Sequence, residues 1–350
     1  MTRKGLFILF IITFSVVQTA CSGGRSNIFD CPVRMVTPEK ECTLRGEEVV
    51  FEGVPVMDVA SVCVVDSFLV ARVYAGNSGN MLHVFNLKRG RYIGDFLTEG
   101  RGPNELLRPT CMTAYKDSKG VKNVYLFDLQ LFESFRFDLL KSIDVGKAEL
   151  VKLGSMPGHT LYAYPYRDTL SLAKYIMPDR ISSALIGRSG SKVKEIPIYP
   201  DVDAFMTLSN LSSADVFFPD SDLIAIAMCS LPQVNFLNVV SGDRYTVAVD
   251  KKYRRWEKTI TESSGGMFYY ASVCASDTHL FALYYGVTNR DWMKGEYSSH
   301  LHVFDKYGNF LWNISLSEQL KAIAYDPEMN CIYGVDEEDR IYRYDLSDVI

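Results

Sequence analysis

The residues with most to offer chemically sit in one short stretch, Glu99-Gly100-Arg101-Gly102-Pro103-Asn104-Glu105-Leu106-Leu107-Arg108. Its glycines let the backbone turn sharply, and Pro103 fixes part of the path. Arg101 carries a planar fork of donors that suits carboxylates or phosphates. With Asn104 and Glu105 beside it, the three residues form a candidate ligand loop. The competing reading is that Arg101 and Glu105 pair with the scaffold and pin a junction. That reading is favoured, because turn glycines usually serve backbone geometry. A second group lies in Gly286 to Ser299, GVTNRDWMKGEYSS. There Arg290, Trp292 and Tyr297 form a candidate recognition insertion, since exposed aromatics and arginine favour interfaces. A surface loop packed back on itself is the equal alternative.

Three further patterns are weaker. His300 and His302 are two apart on a strand and share a face, which supplies two metal ligands and no third. His83 holds the equivalent place in a repeat described below, so a structural role is expected and metal binding is not. Tyr162, Tyr164 and Tyr166 alternate along a strand and could stack on sugar rings, although one packed strand face is the commoner cause. Asp336-Glu337-Glu338-Asp339 lacks the glycine and oxygen spacing of a calcium loop and reads as a solvated hairpin turn. Enzyme signatures are missing: no Gly-x-Ser-x-Gly, no His-Glu-x-x-His, no phosphate loop and no dinucleotide fingerprint. No catalytic residue, cofactor or metal ligand is assigned, and an enzyme is the less favoured class.

Short runs rich in Val, Ile, Tyr and Phe must position these residues. Turn residues separate the runs at roughly 8–12-residue intervals, which indicates a sandwich, barrel or propeller. The runs repeat. Leu82-His83-Val84-Phe85-Asn86 matches Leu301-His302-Val303-Phe304-Asp305, Val124-Tyr125-Leu126-Phe127-Asp128 and Ile341-Tyr342-Arg343-Tyr344-Asp345. Poorer copies end at Gly187 and Asn238. Each is a strand closed by a residue that tolerates turns and can bond its own backbone. A second strand follows each of the first five. An upstream hairpin repeats too, Val62 to Leu69 aligning with Val273 to Leu280. Four-stranded units at spacings of 40 to 67 residues describe propeller blades with insertions. The fold class is therefore all-β, a six-bladed β-propeller. The last unit shows three clear strands, and a strand from Glu48–Val56 is expected to complete it and close the ring. Two sandwich domains are the rival architecture.

The chain opens with Arg3 and Lys4, then a 13-residue apolar run from Gly5 to Val17, then Val17-Gln18-Thr19-Ala20-Cys21. The run fits a signal-peptide core and is short for a membrane span. Small residues before a cysteine indicate lipid attachment at Cys21, with cleavage just before it. A plain secretory signal cut after Ala20 is the alternative. The expected organisation is a signal peptide over 1–20, a tether and N-terminal segment over 21–46, and the propeller over 47–350. After cleavage, 35 basic residues stand against 42 acidic ones, so nucleic acid is not an expected partner. Seven cysteines follow Cys21. Cys31 and Cys42 flank a short loop and could form a bridge, while the other five lie in apolar runs as small buried hydrophobes.

Taken together, these residues resemble the TolB-like six-bladed β-propeller lipoproteins of Bacteroides-type bacteria. The likeness rests on the signal with its cysteine, on Gly100-Arg101-Gly102-Pro103-Asn104-Glu105-Leu106, and on the stretch from Leu280 to Leu346 with FALYYG, HLHVFDKYGNFLW, AIAYDPEMNCIYGV and RIYRYDL in order. It implies a six-bladed fold and an extracytoplasmic address, held to the cell envelope by lipid on Cys21 and facing the periplasm or the exterior. It implies little about activity. The expected function is a membrane-anchored binding or scaffold lipoprotein engaging an envelope protein, a peptide or a glycan. The alternative is an extracytoplasmic carbohydrate-active hydrolase or lyase with its site at the propeller channel.

Overall fold

The structure is a computed structural model. It describes residues 27–350 apart from 55–56, 75–78, 118, 168, 179, 200–211 and 262–265. The signal over 1–20, the lipid site at Cys21 and the start of the tether lie outside the described residues.

Six small sheets form a six-bladed propeller, each built on a four-stranded antiparallel meander. Blade 1 runs through Val59–Val65, Phe68–Val73, Asn80–Asn86 and Arg91–Thr98. The inner strands of blades 2 to 6 are Pro109–Lys116, Thr160–Tyr166, Ser213–Phe217, Met267–Ala275 and Leu320–Asp326. The middle strands are apolar without alternation because both their faces are covered, as with the fully buried Leu69, Val70 and Ala71. The hydrophobic core is divided into six clusters, one at each seam between neighbouring blades. Val84 and Phe96 meet Val124 and Phe135 at the first seam. Val64 and Phe85 meet Ala324 and Val335 at the last.

The strand-ending Asp and Asn residues of the repeat do the expected work. Asp305 accepts the N–H groups of Tyr307 and Asn309, and Asn238 accepts those of Val240 and Ser241. Each carboxylate or amide thus satisfies donors that the tight turn leaves without strand partners.

An N-terminal strand closes the ring as expected, but it is Glu47–Glu48 and not Glu48–Val56. Glu47–Glu48 pairs antiparallel with Ile341–Asp345 and completes blade 6, and Val49 donates one more bond to the Ile341 carbonyl at 2.8 Å. The N-terminal segment does more than close the ring. Val33–Met35 adds in parallel to Arg244–Ala248, the outer strand of blade 4, and Lys40–Leu44 adds in parallel to Phe310–Leu316, the outer strand of blade 5. Residues 33–48 therefore pass along the outer edges of three successive blades. They cap sheet edges that would otherwise template pairing with other chains. Sequence periodicity missed these strands because they are short, and one face of each looks onto solvent.

This path also separates Cys31 from Cys42. Cys31 is buried on blade 4, its Sγ 3.2 Å from Thr246 Oγ1, whereas Cys42 lies beside Ile314 on blade 5. Neither takes part in a disulfide, which corrects the bridge expected from their spacing. Cys63, Cys111 and Cys331 are buried, while Cys229 and Cys274 are only half-buried. The acidic turn at 336–339 is not simply solvated either. Asp336 is buried and accepts from Glu338 N, Arg340 N and Arg340 Nε. Asp339 accepts Val59 N at 3.0 Å and pairs with Lys321 at 2.8 Å, which ties blade 6 to blade 1.

Candidate functional site: the central channel

Each inner strand lies at the edge of its sheet. Six such edges surround the propeller axis, so backbone N–H and C=O groups without ladder partners face inward. A wall of this kind cannot be sealed with apolar side chains without stranding those groups, and it stays polar. The result is a central cavity of about 1410 Å³. Its wall carries hydroxyls from Ser61, Thr110, Thr113 and Ser272, the rings of Tyr162 and Tyr164, and charged groups from all six blades.

Most of the charge is neutralised locally. At the mouth formed by the hairpin turns after the inner strands, Lys122 pairs with Asp66 at 3.0 Å, Lys116 with Asp220 at 3.4 Å and Arg167 with Asp222 at 2.7 Å. The Tyr166 hydroxyl donates to the same Asp222 oxygen. These pairs join different blades, yet all are well exposed on at least one side and contribute little stability. Arg72 differs. Its guanidinium is largely buried, its Nε donates to Ser61 Oγ at 3.1 Å, and it lies over the Tyr74 ring at 5.6 Å. Burial pulls its pKa below the usual arginine value.

The deepest polar group is at the seam of blades 3 and 4. The Lys174 ammonium donates to Asp215, with side-chain exposures of 4% and 0%. It also reaches Ser213 Oγ at 3.2 Å and lies 5.9 and 5.7 Å from the Tyr164 and Tyr199 ring centres. Burial alone would lower the Lys174 pKa. The adjoining Asp215 carboxylate outweighs it, and the net direction is upward. Burial, reinforced by Asp215, holds the Tyr164 phenol well above its ordinary value. Tyr164 stacks on Tyr162 at 6.5 Å with ring planes 13° apart. Burial pushes the thiols of Cys111 and Cys229 up to about 11 and about 12. Near neutral pH both are therefore protonated and poor nucleophiles.

The residues singled out in the sequence lie elsewhere. In the 99–108 loop, Glu105 turns inward and accepts Gly102 N at 2.7 Å. A Cβ on Gly100 would stand 2.0 Å from the same Glu105 oxygen, so a side chain there would displace the carboxylate from Gly102 N. Asn104 has a positive φ of 65° and accepts Leu150 N at 3.1 Å, which binds the loop to blade 2. Arg101 is exposed. In the insertion, Asn289–Met293 forms a short helix capped by Thr288. Tyr297 is buried, packs on Tyr285 at 4.7 Å and donates to Glu337 of blade 6 at 2.7 Å. Arg290 is exposed, and Trp292 is 38% exposed with its ring edge against Phe268. The two loops sit at different blade seams, and neither lines the channel.

Arg72 on the channel wall and Lys174, buried behind it against Asp215, were missed, although a signal existed. Each interrupts a buried apolar run, Leu69-Val70-Ala71-Arg72-Val73 and Leu172-Ala173-Lys174-Tyr175. A lone cation in such a run is rarely buried without a specific partner.

His302 proves to be a core residue. It is 4% exposed and stacks on Tyr284 at 4.1 Å, with Tyr270 Oη 3.3 Å from Nδ1. His83 repeats the arrangement with Tyr92 Oη at 3.0 Å. Burial holds the His302 imidazole well below its ordinary 6.5, and it lowers His83 as well. The unfolded chain then binds protons that the native state refuses. The stability contribution is complete above pH 6.5 and is lost as pH falls below it, by up to about 1.4 kcal/mol per pH unit for a fully buried histidine. The melting temperature is expected to drop between pH 7 and 5, and more gently in His302→Phe. Identical slopes in the two proteins would remove His302 from the account.

Among the described residues, no helix is long and apolar enough to cross a membrane. No protein-family model matches the chain, and no curated protein does. Solved structures do match in fold. A protein of Bacteroides fragilis NCTC 9343 that is inferred to be exported aligns with a TM-score of 0.57 at 11% identity, over 89% of this chain and 99% of its own. A member of the DUF4221 family from Bacteroides vulgatus ATCC 8482 aligns with a TM-score of 0.57 at 9% identity, over 88% of this chain and 96% of its own. At such identities the likeness extends to the fold, and this chain shares with both a six-bladed β-propeller architecture.

Proposed function

We propose that this chain is an exported, lipid-anchored binding module that takes a glycan or peptide ligand into its central channel. The observation that carries this reading is the cavity of about 1410 Å³ with a stacked tyrosine pair on a wall of hydroxyls and charges. Small-molecule pockets are usually about 300–1,000 Å³, so there is room for several sugar or peptide units. The signal-like start, Cys21 and the likeness to TolB-like propeller lipoproteins support export and anchoring, as does the structural neighbour inferred to be exported. A protein partner on the rim would meet Arg101 at one seam and Arg290 with Trp292 at another.

An enzymatic reading, a carbohydrate-active hydrolase or lyase, draws on one specific feature. The Lys174–Asp215–Tyr164 cluster holds a protonated phenol beside a buried carboxylate at the channel wall.

Glycan and peptide arrays probed with the mature chain test the channel reading, with each hit followed by calorimetry. Tyr162→Ala is expected to weaken binding at least tenfold without changing the fold, and Arg101→Ala/Glu105→Ala to leave it unchanged. Binding indifferent to Tyr162 would move the site off the channel. Turnover of a bound glycan, lost in Asp215→Asn, would favour the enzyme. Cys21→Ser should release the protein from the membrane fraction, and retention would refute the lipid anchor.

A further inference from the structure

We propose that Arg72 is the anchor for the carboxylate of an acidic sugar, a uronate, bound in the central channel. This rests on the channel-binding reading and names its ligand class. The argument begins with a comparison of the cations that line the cavity. Lys116, Lys122, Arg167 and Lys321 each have a carboxylate within 3.4 Å, in Asp220, Asp66, Asp222 and Asp339. Arg72 lines the same cavity and has no carboxylate partner among the described residues. Its contacts are one serine hydroxyl and one tyrosine. Arginine does not shed its proton in a protein, so the cost of its partial burial is met most fully by an anion. The free part of the guanidinium is a planar fork whose geometry matches a carboxylate.

The surroundings define what carries that carboxylate. Arg72 is hydrogen-bonded to Ser61 on the inner strand of blade 1. Cys111 on blade 2 lies within electrostatic reach of Arg72 on one side and of Tyr162 on the other. One wall of the cavity thus runs from a cation, past the hydroxyls of Thr110 and Thr113, to two nearly parallel tyrosine rings. A sugar ring has a flat C–H face for the tyrosines, a rim of hydroxyls for the serine and threonines, and, in a uronate, a carboxylate for the arginine.

The test is thermal stabilisation at constant ionic strength by sodium D-glucuronate and sodium D-galacturonate. The controls are D-glucose and D-galactose, sodium sulfate and N-acetylglutamate. The wild-type protein is expected to be stabilised by one or both uronates and not by the neutral sugars. Arg72→Gln should weaken that response at least tenfold, and Arg72→Lys should retain part of it. Without ligand, Arg72→Gln is expected to melt at or above the wild-type temperature, because an uncompensated charge has been removed. A large fall in melting temperature would show instead that Arg72 is structural. No response to either uronate, or an undiminished one in Arg72→Gln, would overturn the proposal. An equal response to sulfate or to N-acetylglutamate would overturn the sugar class and leave a general anion site or a peptide site. Tyr162→Ala separates the two levels. If it abolishes uronate binding while Arg72→Gln does not, the channel reading stands and the anchor fails; if neither matters, both fail.

Discussion

Lys174→Met is expected to cost about 3–5 kcal/mol of folding free energy, because it leaves the Asp215 carboxylate buried without its counter-ion. Both side chains are almost wholly out of water, so solvent cannot take over the lost partner. The pair itself is not thereby a strong stabiliser. Two desolvated ions recover little more than the cost of burying them, and a well-packed apolar pair often does as well. The double variant Lys174→Met/Asp215→Leu should accordingly regain most of what the single variant loses. Equilibrium denaturation of the four proteins in this cycle reads the coupling directly. A single variant within about 1 kcal/mol of wild type would mean that water reaches Asp215. The sign with pH is also fixed. The Lys174 pKa is raised in the folded state, so its contribution is complete below the ordinary 10.5 and is lost only as pH climbs through the folded value. Lys174 therefore adds no slope between pH 5 and 9, and the histidine effect can be read there without interference from it.

Asp128→Ala is the second change with a large expected effect, about 3–4 kcal/mol. The residue is fully buried, and its carboxylate accepts four backbone N–H groups. Leu107 and Arg108 donate to one oxygen at 2.7 and 2.8 Å, and Gln130 and Leu131 to the other, both at 2.9 Å. Hydrogen bonds to a charged group contribute about 1.5–3 kcal/mol each, but four on one side chain do not add in full. Two of the donors belong to the end of the 99–108 loop and two to the turn after the second strand of blade 2. Asp128 therefore joins a blade turn to a blade junction. Asp128→Asn keeps one acceptor oxygen and should lose about half as much. Hydrogen exchange should quicken at Leu107 and Arg108 in the alanine variant, even where global stability is restored by lower temperature. An alanine variant as stable as wild type would show that water replaces the carboxylate at all four sites.

These two sites differ in how far the amino-acid sequence reveals them. Asp128 is visible as a strand-ending Asp, although it closes the second strand of its blade where Asn86, Asn238 and Asp305 close the third, and its turn chemistry is local: an Asp side chain reaches the N–H groups two and three residues on. The same locality makes the strands, their turns and the six-fold repeat readable. Each blade is a meander of neighbouring strands, and each middle strand is marked by an unbroken apolar run. Glycines 100 and 102 likewise show their role in turning the loop, and Glu105 serves the scaffold, as the geometry of the turn suggested.

What the sequence by itself determined is thus the number and kind of blades and the residues that cap the turns, since these follow from contacts between near neighbours in the chain or from a period of two. Only the tertiary structure decided where residues 33–44 go, because short exposed strands have no burial pattern to betray them and their partners lie more than two hundred residues away. Only the tertiary structure decided that Cys31 and Cys42 stand on different blades. It alone assembled the channel, since Arg72, Cys111, Tyr162 and Asp215 come from four blades and meet only when the ring closes. The physical reason is the same in each case. A propeller builds its blades from local pairings and its axis from distant ones, and a side chain's distance from the axis is not written in the residues beside it.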